Sequence, residues 1–246
     1  MVQANPLVLS AGIAVSAAAA IYLLRARRMP RTITILGLGS LLSERSCRLT
    51  FPTLTNFRVS RLDGYRRVFA HSPSVFVQRG IADVDTLQMS SLSAEPCAGS
   101  SFVVTAFEVP DSGLGMEAFR EREEEFELAM VDFTDAFGGG RGMLCLASTD
   151  AAYIERWGKE RWERLYTKFG LSKCWGWTED SGLRPCATYL RHCTLAAEKL
   201  GGEAHASFLD DTFLCDRKTT IRSYLQKHPE VMSELPPEAL RERYSG

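Results

Sequence analysis

A chain of 246 residues, 45% hydrophobic and 24% charged, has the composition of an ordinary globular protein and enough length to bury a sizeable core. Its net charge of −1 offers no basic field to a phosphate backbone, and no RNA- or DNA-binding motif is present, which sets nucleic acid aside as a partner. Cys47, Cys97, Cys145, Cys174, Cys186, Cys193 and Cys215 stand singly and are odd in number, so they read as reduced thiols, several in the core, and not as a disulfide framework. His71, His192, His205 and His228 lie far apart without ligand spacing, and no metal is expected.

The first feature along the chain is an apolar run from Leu7 to Leu24, broken only by Ser10, Gly12 and Ser16. Arg25, Arg27, Arg28 and Arg31 follow it, and no acid precedes Glu44. A run of 18 such residues just spans a bilayer as a helix. Arginines behind the run favour a signal anchor with a cytoplasmic-facing domain over a secretory signal peptide. Residues 1–30 are therefore read as an N-terminal membrane anchor, with membrane association through residues 7–24. An organelle-targeting segment (mitochondrion or plastid) and an ordinary exposed helix remain as alternatives.

Thr32 to Leu36 is β-rich and feeds directly into a glycine loop. Asn56 to Leu62 alternates apolar and polar, Asp63-Gly64 interrupts it, and Tyr65 to Phe69 resumes it. Thr86–Met89 and Phe102–Val109 read as strands separated by the turn-like Glu95-Pro96-Cys97-Ala98-Gly99. A helix is predicted from Leu114 to Phe126, then strands at Leu128–Val131 and Met143–Ser148 joined through Gly138-Gly139-Gly140-Arg141-Gly142. The rest is mostly helical, over Tyr153–Phe169, Tyr189–Leu200 and Thr219–Lys227, with a charged, peripheral tail from Pro236 to Gly246. Strands first and helices later predict an α+β domain.

Two segments carry candidate chemistry. The loop Gly37-Leu38-Gly39-Ser40-Leu41-Leu42 exposes backbone N–H groups that can cradle an anionic oxygen, although a tight structural turn would have the same sequence. It lacks the ending of a P-loop and the third glycine of a dinucleotide fingerprint. In the second segment, a helical period of 100° per residue puts Met116, Phe119 and Phe126 on one face with Glu123 among them, while Glu117, Glu121, Glu124 and Glu125 project elsewhere as a solvated charge run. A carboxylate turned inward at Glu123 is either a desolvated general base or half of a buried ion pair with an arginine.

Taken in order, Gly39-Ser40-Leu41, Gly64-Tyr65-Arg66-Arg67-Val68-Phe69, Arg79-Gly80, Arg122-Glu123 and the stretch Ser207–Leu214 resemble the gamma-glutamylcyclotransferase-like superfamily, its ChaC-type members in particular. That family carries Tyr-Gly-Ser, Gly-Tyr/Trp-Arg-Arg-x-Phe and Arg-Gly segments, then a helix with a Leu-Asp-x-Arg-Glu-type pattern that supplies the catalytic glutamate. Two positions depart from its pattern. Leu38 replaces the tyrosine before Gly-Ser, and Phe119-Arg120 replaces Leu-Asp. The resemblance implies a small mixed β-barrel with packed helices over residues 31–215, with 216–246 as a C-terminal helical extension.

The resemblance also implies an enzyme that closes 5-oxoproline from glutathione or another small-molecule γ-glutamyl compound, with no metal or organic cofactor. Glu123 would be catalytic, and Leu38, Gly39, Ser40, Leu41, Leu42 and Arg79 would bind substrate. A catalytically inactive γ-glutamyl-binding or regulatory module, and a related transferase or amidohydrolase, are the alternatives on the same fold.

Overall fold

The β-branched run after Arg31 forms β1 (Thr32–Gly37) of a computed structural model that describes residues 31–111 and 113–246. On one side β1 pairs in parallel with β5 (Gly140–Leu146), which is antiparallel to β4 (Glu127–Phe133). On the other side lie the two longest strands, β2 (Thr55–His71) and β3 (Gln88–Pro110), antiparallel to each other from Thr55 opposite Glu108 to His71 opposite Ser91. Short β6 (Arg184–Pro185) pairs with β3, and β7 (Thr212–Leu214) runs parallel to β2. The sheet order is β4-β5-β1-β3-β2-β7.

The sheet curls into a half-barrel. Beyond the end of β1, β3 and β5 meet directly at Ala94 and Leu146. At the open side, Arg61 of β2 and Thr134 exchange two backbone hydrogen bonds of 2.8 and 3.0 Å. Asp63-Gly64 does not end β2; it sits in a bulge opposite Cys97–Ser100, with Asp63 facing Ser101 and Tyr65 facing Pro96. The turn-like residues read from sequence are therefore this bulge inside β3.

Helices pack around the sheet in the order α1 (Glu44–Thr50), α2 (Ser74–Gln78), α3 (Leu114–Arg122), α4 (Asp150–Trp157), α5 (Lys159–Leu165), α6 (Ala187–Lys199), α7 (Gly202–Asp210) and α8 (Ile221–Lys227). Gly158, at φ 86°, splits the single helix expected over Tyr153–Phe169 into α4 and α5. The helix predicted to run to Phe126 instead stops at Arg122, with Glu123 as its C-cap at φ −107° and ψ 33°. Its continuation loses to side chains from elsewhere that take the next carbonyls. Trp157 Nε1 donates to the Glu124 oxygen (3.0 Å), Trp175 Nε1 to that of Glu125 (3.0 Å) and Arg156 Nη1 to that of Phe126 (2.7 Å).

Residues Ile33–Gly246 form one compact unit, and residues 216–246 contribute α8 and the buried side chains of Tyr224, Val231 and Tyr244 to it. The tail from Pro236 is thus not peripheral, because Tyr244 is only 2% exposed. The membrane-anchored, cytoplasmic-facing placement is corrected here. Among the described residues no helix is long and apolar enough to cross a membrane, and α6, at 13 residues, falls well short of the roughly 20 that a span requires. The run Leu7–Leu24, on which both the anchor and the targeting alternative rested, lies outside the described residues.

Arg67 is wholly buried and forms no salt bridge among the described residues. Its Nε donates to Thr212 Oγ1 (2.7 Å), Nη1 to the carbonyls of Leu38 (3.0 Å) and Val103 (3.2 Å), and Nη2 to that of Ser207 (3.5 Å). The rings of Phe102 and Phe208 lie 4.9 and 4.8 Å from the guanidinium carbon. Burial pulls its pKa to about 10, so it remains a cation at neutral pH. Replacement by Met strands these acceptors, so Arg67→Met is expected to lose about 3–5 kcal/mol of unfolding free energy, read as a lower urea midpoint at unchanged slope.

His71, at the end of β2, stacks on Trp175 with centroids 4.4 Å apart and meets Phe126 edge-on at 4.9 Å. Neither ring nitrogen has a hydrogen-bond partner among the described residues. Burial pulls its pKa from 6.5 to about 3, so the folded protein holds the neutral ring. Between those values the unfolded chain binds the proton and the folded chain does not, so this stability is present above pH 6.5 and lost as pH falls toward 3. The stability difference between the parent and His71→Phe should therefore change by about 1.4 kcal/mol per pH unit across that window, measured by urea denaturation at stepped pH.

Candidate active site

The loop leaving β1 is held on several sides. A Cβ at Gly37 would overlap Thr105 Oγ1 and the Leu41 carbonyl, and one at Gly39 would overlap the Tyr189 hydroxyl, so both positions require glycine. The Leu41 carbonyl accepts from Thr105 Oγ1 (2.8 Å) and Cys47 Sγ (3.2 Å), while Arg67 holds the Leu38 carbonyl. Ser40 N–H donates to the hydroxyl of Tyr189, from the first turn of α6, at 3.3 Å. Among the described residues the N–H groups of Gly39 and Leu41 meet no acceptor. Burial raises the pKa of Tyr189, which keeps its hydroxyl protonated.

Glu123 comes to this loop from the end of α3. Its Oε1 accepts from Arg122 Nε at 2.9 Å, and Nη2 of the same guanidinium donates to Ser40 Oγ at 2.8 Å. Arg122 Nη1 reaches back to Thr50 Oγ1 of α1 at 2.7 Å. One arginine thus ties the carboxylate to the glycine loop. Burial raises the pKa of Glu123 above the ordinary carboxylate value, opposed by the charges of Arg122 and Arg243 and by the Cys145 thiol. The ion pair that the sequence left open is present, and the carboxylate in it is also desolvated.

Glu124 and Glu125 depart from expectation. They are 8% and 6% exposed, not displayed on a solvated face, because the chain beyond Arg122 turns inward. Glu124 Oε2 accepts from Arg161 Nε at 2.6 Å. Glu125 has Tyr166 Oη donating to its Oε1 at 3.2 Å, and burial followed by the charge of Glu124 pushes its pKa to about 8. At neutral pH this neighbour of Glu123 is predominantly protonated.

These groups surround a cavity of about 330 Å³. Leu38, Gly39, Ser40, Leu41, Arg79 and Glu123 all line it, whereas Leu42 does not; that side chain is 2% exposed in the core. The cavity wall also includes Tyr189, Glu125, His71, Arg243 and Tyr244, which the sequence reading did not single out. Arg79 donates to the Tyr244 hydroxyl at 2.7 Å across 165 residues, a contact no local pattern announces. Among the described residues no cluster of three or more His, Cys, Asp or Glu side chains has metal-holding geometry.

No family model matches the sequence, and no curated protein matches it. Among solved structures, an uncharacterized protein from Homo sapiens is similar at 14% identity and a TM-score of 0.39, over 55% of this chain and 86% of that one. A gamma-glutamyl cyclotransferase is similar at 16% identity and a TM-score of 0.38, over 55% of this chain and 86% of that one. Neither structure distinguishes a ChaC-type member.

Proposed function

We propose that the chain is a gamma-glutamylcyclotransferase-type enzyme releasing 5-oxoproline from a small γ-glutamyl compound. The observation that carries this reading is the Glu123 carboxylate, raised in pKa by burial, in the same cavity as a glycine loop to which Arg122 ties it.

In this mechanism the free N–H groups of Gly39 and Leu41 hold the substrate's α-carboxylate, which sets its α-ammonium beside Glu123. Glu123 takes one proton from the ammonium. The freed amine attacks the γ-carbonyl carbon of the same molecule, forming the ring C–N bond and a tetrahedral oxyanion. That intermediate collapses by breaking the original C–N bond as Glu123 returns its proton to the departing nitrogen, and the second proton of the ring nitrogen passes to the same amine, which leaves as an ammonium. One carboxyl serves both steps, and no redox partner is required. A pKa above the usual carboxylate range brings Glu123 closer to an ammonium's basicity, while the Arg122 pair keeps it ionised and oriented.

Leu38 removes a hydroxyl from this site, and Tyr189 brings one from α6 to Ser40, two residues on. Leu38 also gives weight to the second reading, a pocket that binds γ-glutamyl compounds without turning them over. The full chain is expected to form 5-oxoproline from at least one of glutathione, γ-glutamyl-alanine and γ-glutamyl-lysine. Glu123→Gln should lower kcat by roughly 10²–10⁴-fold with the fold retained. Product formation that Glu123→Gln leaves unchanged removes Glu123 from its role. Binding of all three without product supports the second reading.

A further inference from the structure

Three consecutive acids turn inward beyond α3, and they are not answered alike. Glu123 is met by Arg122 at 2.9 Å, and Glu124 by Arg161, whose Nε lies 2.6 Å from its Oε2. Glu125, only 6% exposed, forms no salt bridge among the described residues. Its Oε1 accepts from Tyr166 Oη at 3.2 Å, and among the described residues no hydrogen bond reaches its Oε2. Its place is fixed from the backbone as well. Trp175 Nε1 donates to its carbonyl at 3.0 Å, and the Phe126 N–H closes a turn on the Glu123 carbonyl at 3.0 Å. Glu125 lines the same cavity as Glu123 and the glycine loop, and the mechanism above gives it no role.

A buried carboxyl without a cation of its own, next to two carboxylates, keeps its proton, because ionising it would add a third negative charge to the same pocket. After burial, the charges of Glu124 and Glu123 both act in that direction. The other titratable groups that feel Glu125 supply no counter-charge. Burial pushes up Tyr153, Tyr166, Cys145 and Cys174, which stay neutral. His71, stacked on the Trp175 ring, stays neutral as well. At neutral pH Glu125 is therefore a stored proton at the wall of the cavity.

The reaction calls for such a donor. An α-ammonium that ends as a lactam N–H gives up two protons, and an amine that leaves as an ammonium takes up two. Glu123 accounts for one of them. We propose that Glu125 is a second catalytic residue of this cavity and carries the other: its carboxylic acid donates to the departing nitrogen as the C–N bond breaks, and it takes the second proton of the ring nitrogen in return. Both carboxyls end as they began, so the protons balance and no further reactant is needed. This rests on the cyclotransferase reading above. The Tyr166 hydroxyl holds Oε1, which leaves Oε2 for the exchange.

The test follows 5-oxoproline formation by the full chain from γ-glutamyl-L-alanine, whose amine leaves as an ammonium, and from γ-glutamyl-p-nitroanilide, whose weakly basic arylamine leaves neutral and needs only one proton. In the parent, kcat for γ-glutamyl-L-alanine should fall as pH rises through about 8, where Glu125 loses its proton, while kcat for the anilide holds. The substrate's own α-ammonium titrates alike in both and drops out of the comparison. Glu125→Gln, whose amide oxygen can still accept from Tyr166, should lower kcat for γ-glutamyl-L-alanine by roughly 10²-fold, and for the anilide by a factor about tenfold smaller. The parent's two pH profiles need no variant, so a misfolded Glu125→Gln does not decide the outcome. Parallel profiles for the two substrates, or an equal loss on both in the variant, overturn the role of Glu125. Absence of 5-oxoproline from both substrates overturns the cyclotransferase reading beneath it.

Discussion

A cation buried without an ion pair among the described residues is the constraint on which the rest of this fold depends. Arg67 satisfies its guanidinium with the Thr212 hydroxyl and with carbonyls from the loop after β1, from β3 and from α7. Hydroxyl and carbonyl dipoles, with the more distant charge of Asp211, stand where a direct ion pair would, and they do so while all four elements stay where they are. Fixing the Leu38 carbonyl orients the loop that follows, and the glycines at 37 and 39 let it pass against Thr105 and Tyr189 without a clash. The same buried charge therefore holds the half-barrel together and shapes one wall of the site.

The opposite wall comes from a helix that ends early. Had α3 continued to Phe126, Glu124 and Glu125 would have faced water. Trp157, Arg156 and Trp175 take the backbone carbonyls of residues 124–126 instead, and the chain turns into the interior with three consecutive acids. Their environments then diverge. Glu123 is held by Arg122 and sensed by Arg243, Glu124 is paired with Arg161, and Glu125 sits beside Tyr166 with its pKa at about 8. Neighbouring carboxyls with separated protonation states are what proton-transfer chemistry requires.

Sequence alone made part of this legible. The β-rich run ending in Gly37 and the strand content around Asn56–Phe69 follow from local pattern, and the structure bears out those strands; Glu123 does reach the cavity, but from a helix end and not from the helical face that the periodicity assumed. The fate of Glu124 and Glu125 was not legible, since it depends on tryptophans more than 30 residues away. The split at Gly158 was missed because apolar spacing continues across it, although the residue itself was a visible breaker. Arg243 and Tyr244 looked like a charged tail, and only the contacts of Tyr244 with Arg79 and His192 bring that segment to the cavity. The localisation failed for a different reason: it rested wholly on residues outside those the structure describes, while the described helices are too short to span a bilayer.

The proposed reaction asks one carboxylate for two proton transfers and the loop to hold an anion, so that attack is intramolecular and not by water. Running the reaction in H₂¹⁸O with γ-glutamyl-alanine and analysing the products by mass spectrometry tests that claim most directly. Intramolecular aminolysis predicts 5-oxoproline without ¹⁸O and an equal amount of alanine. Glutamate carrying one ¹⁸O in its side-chain carboxylate would contradict it, because water would then have been the nucleophile.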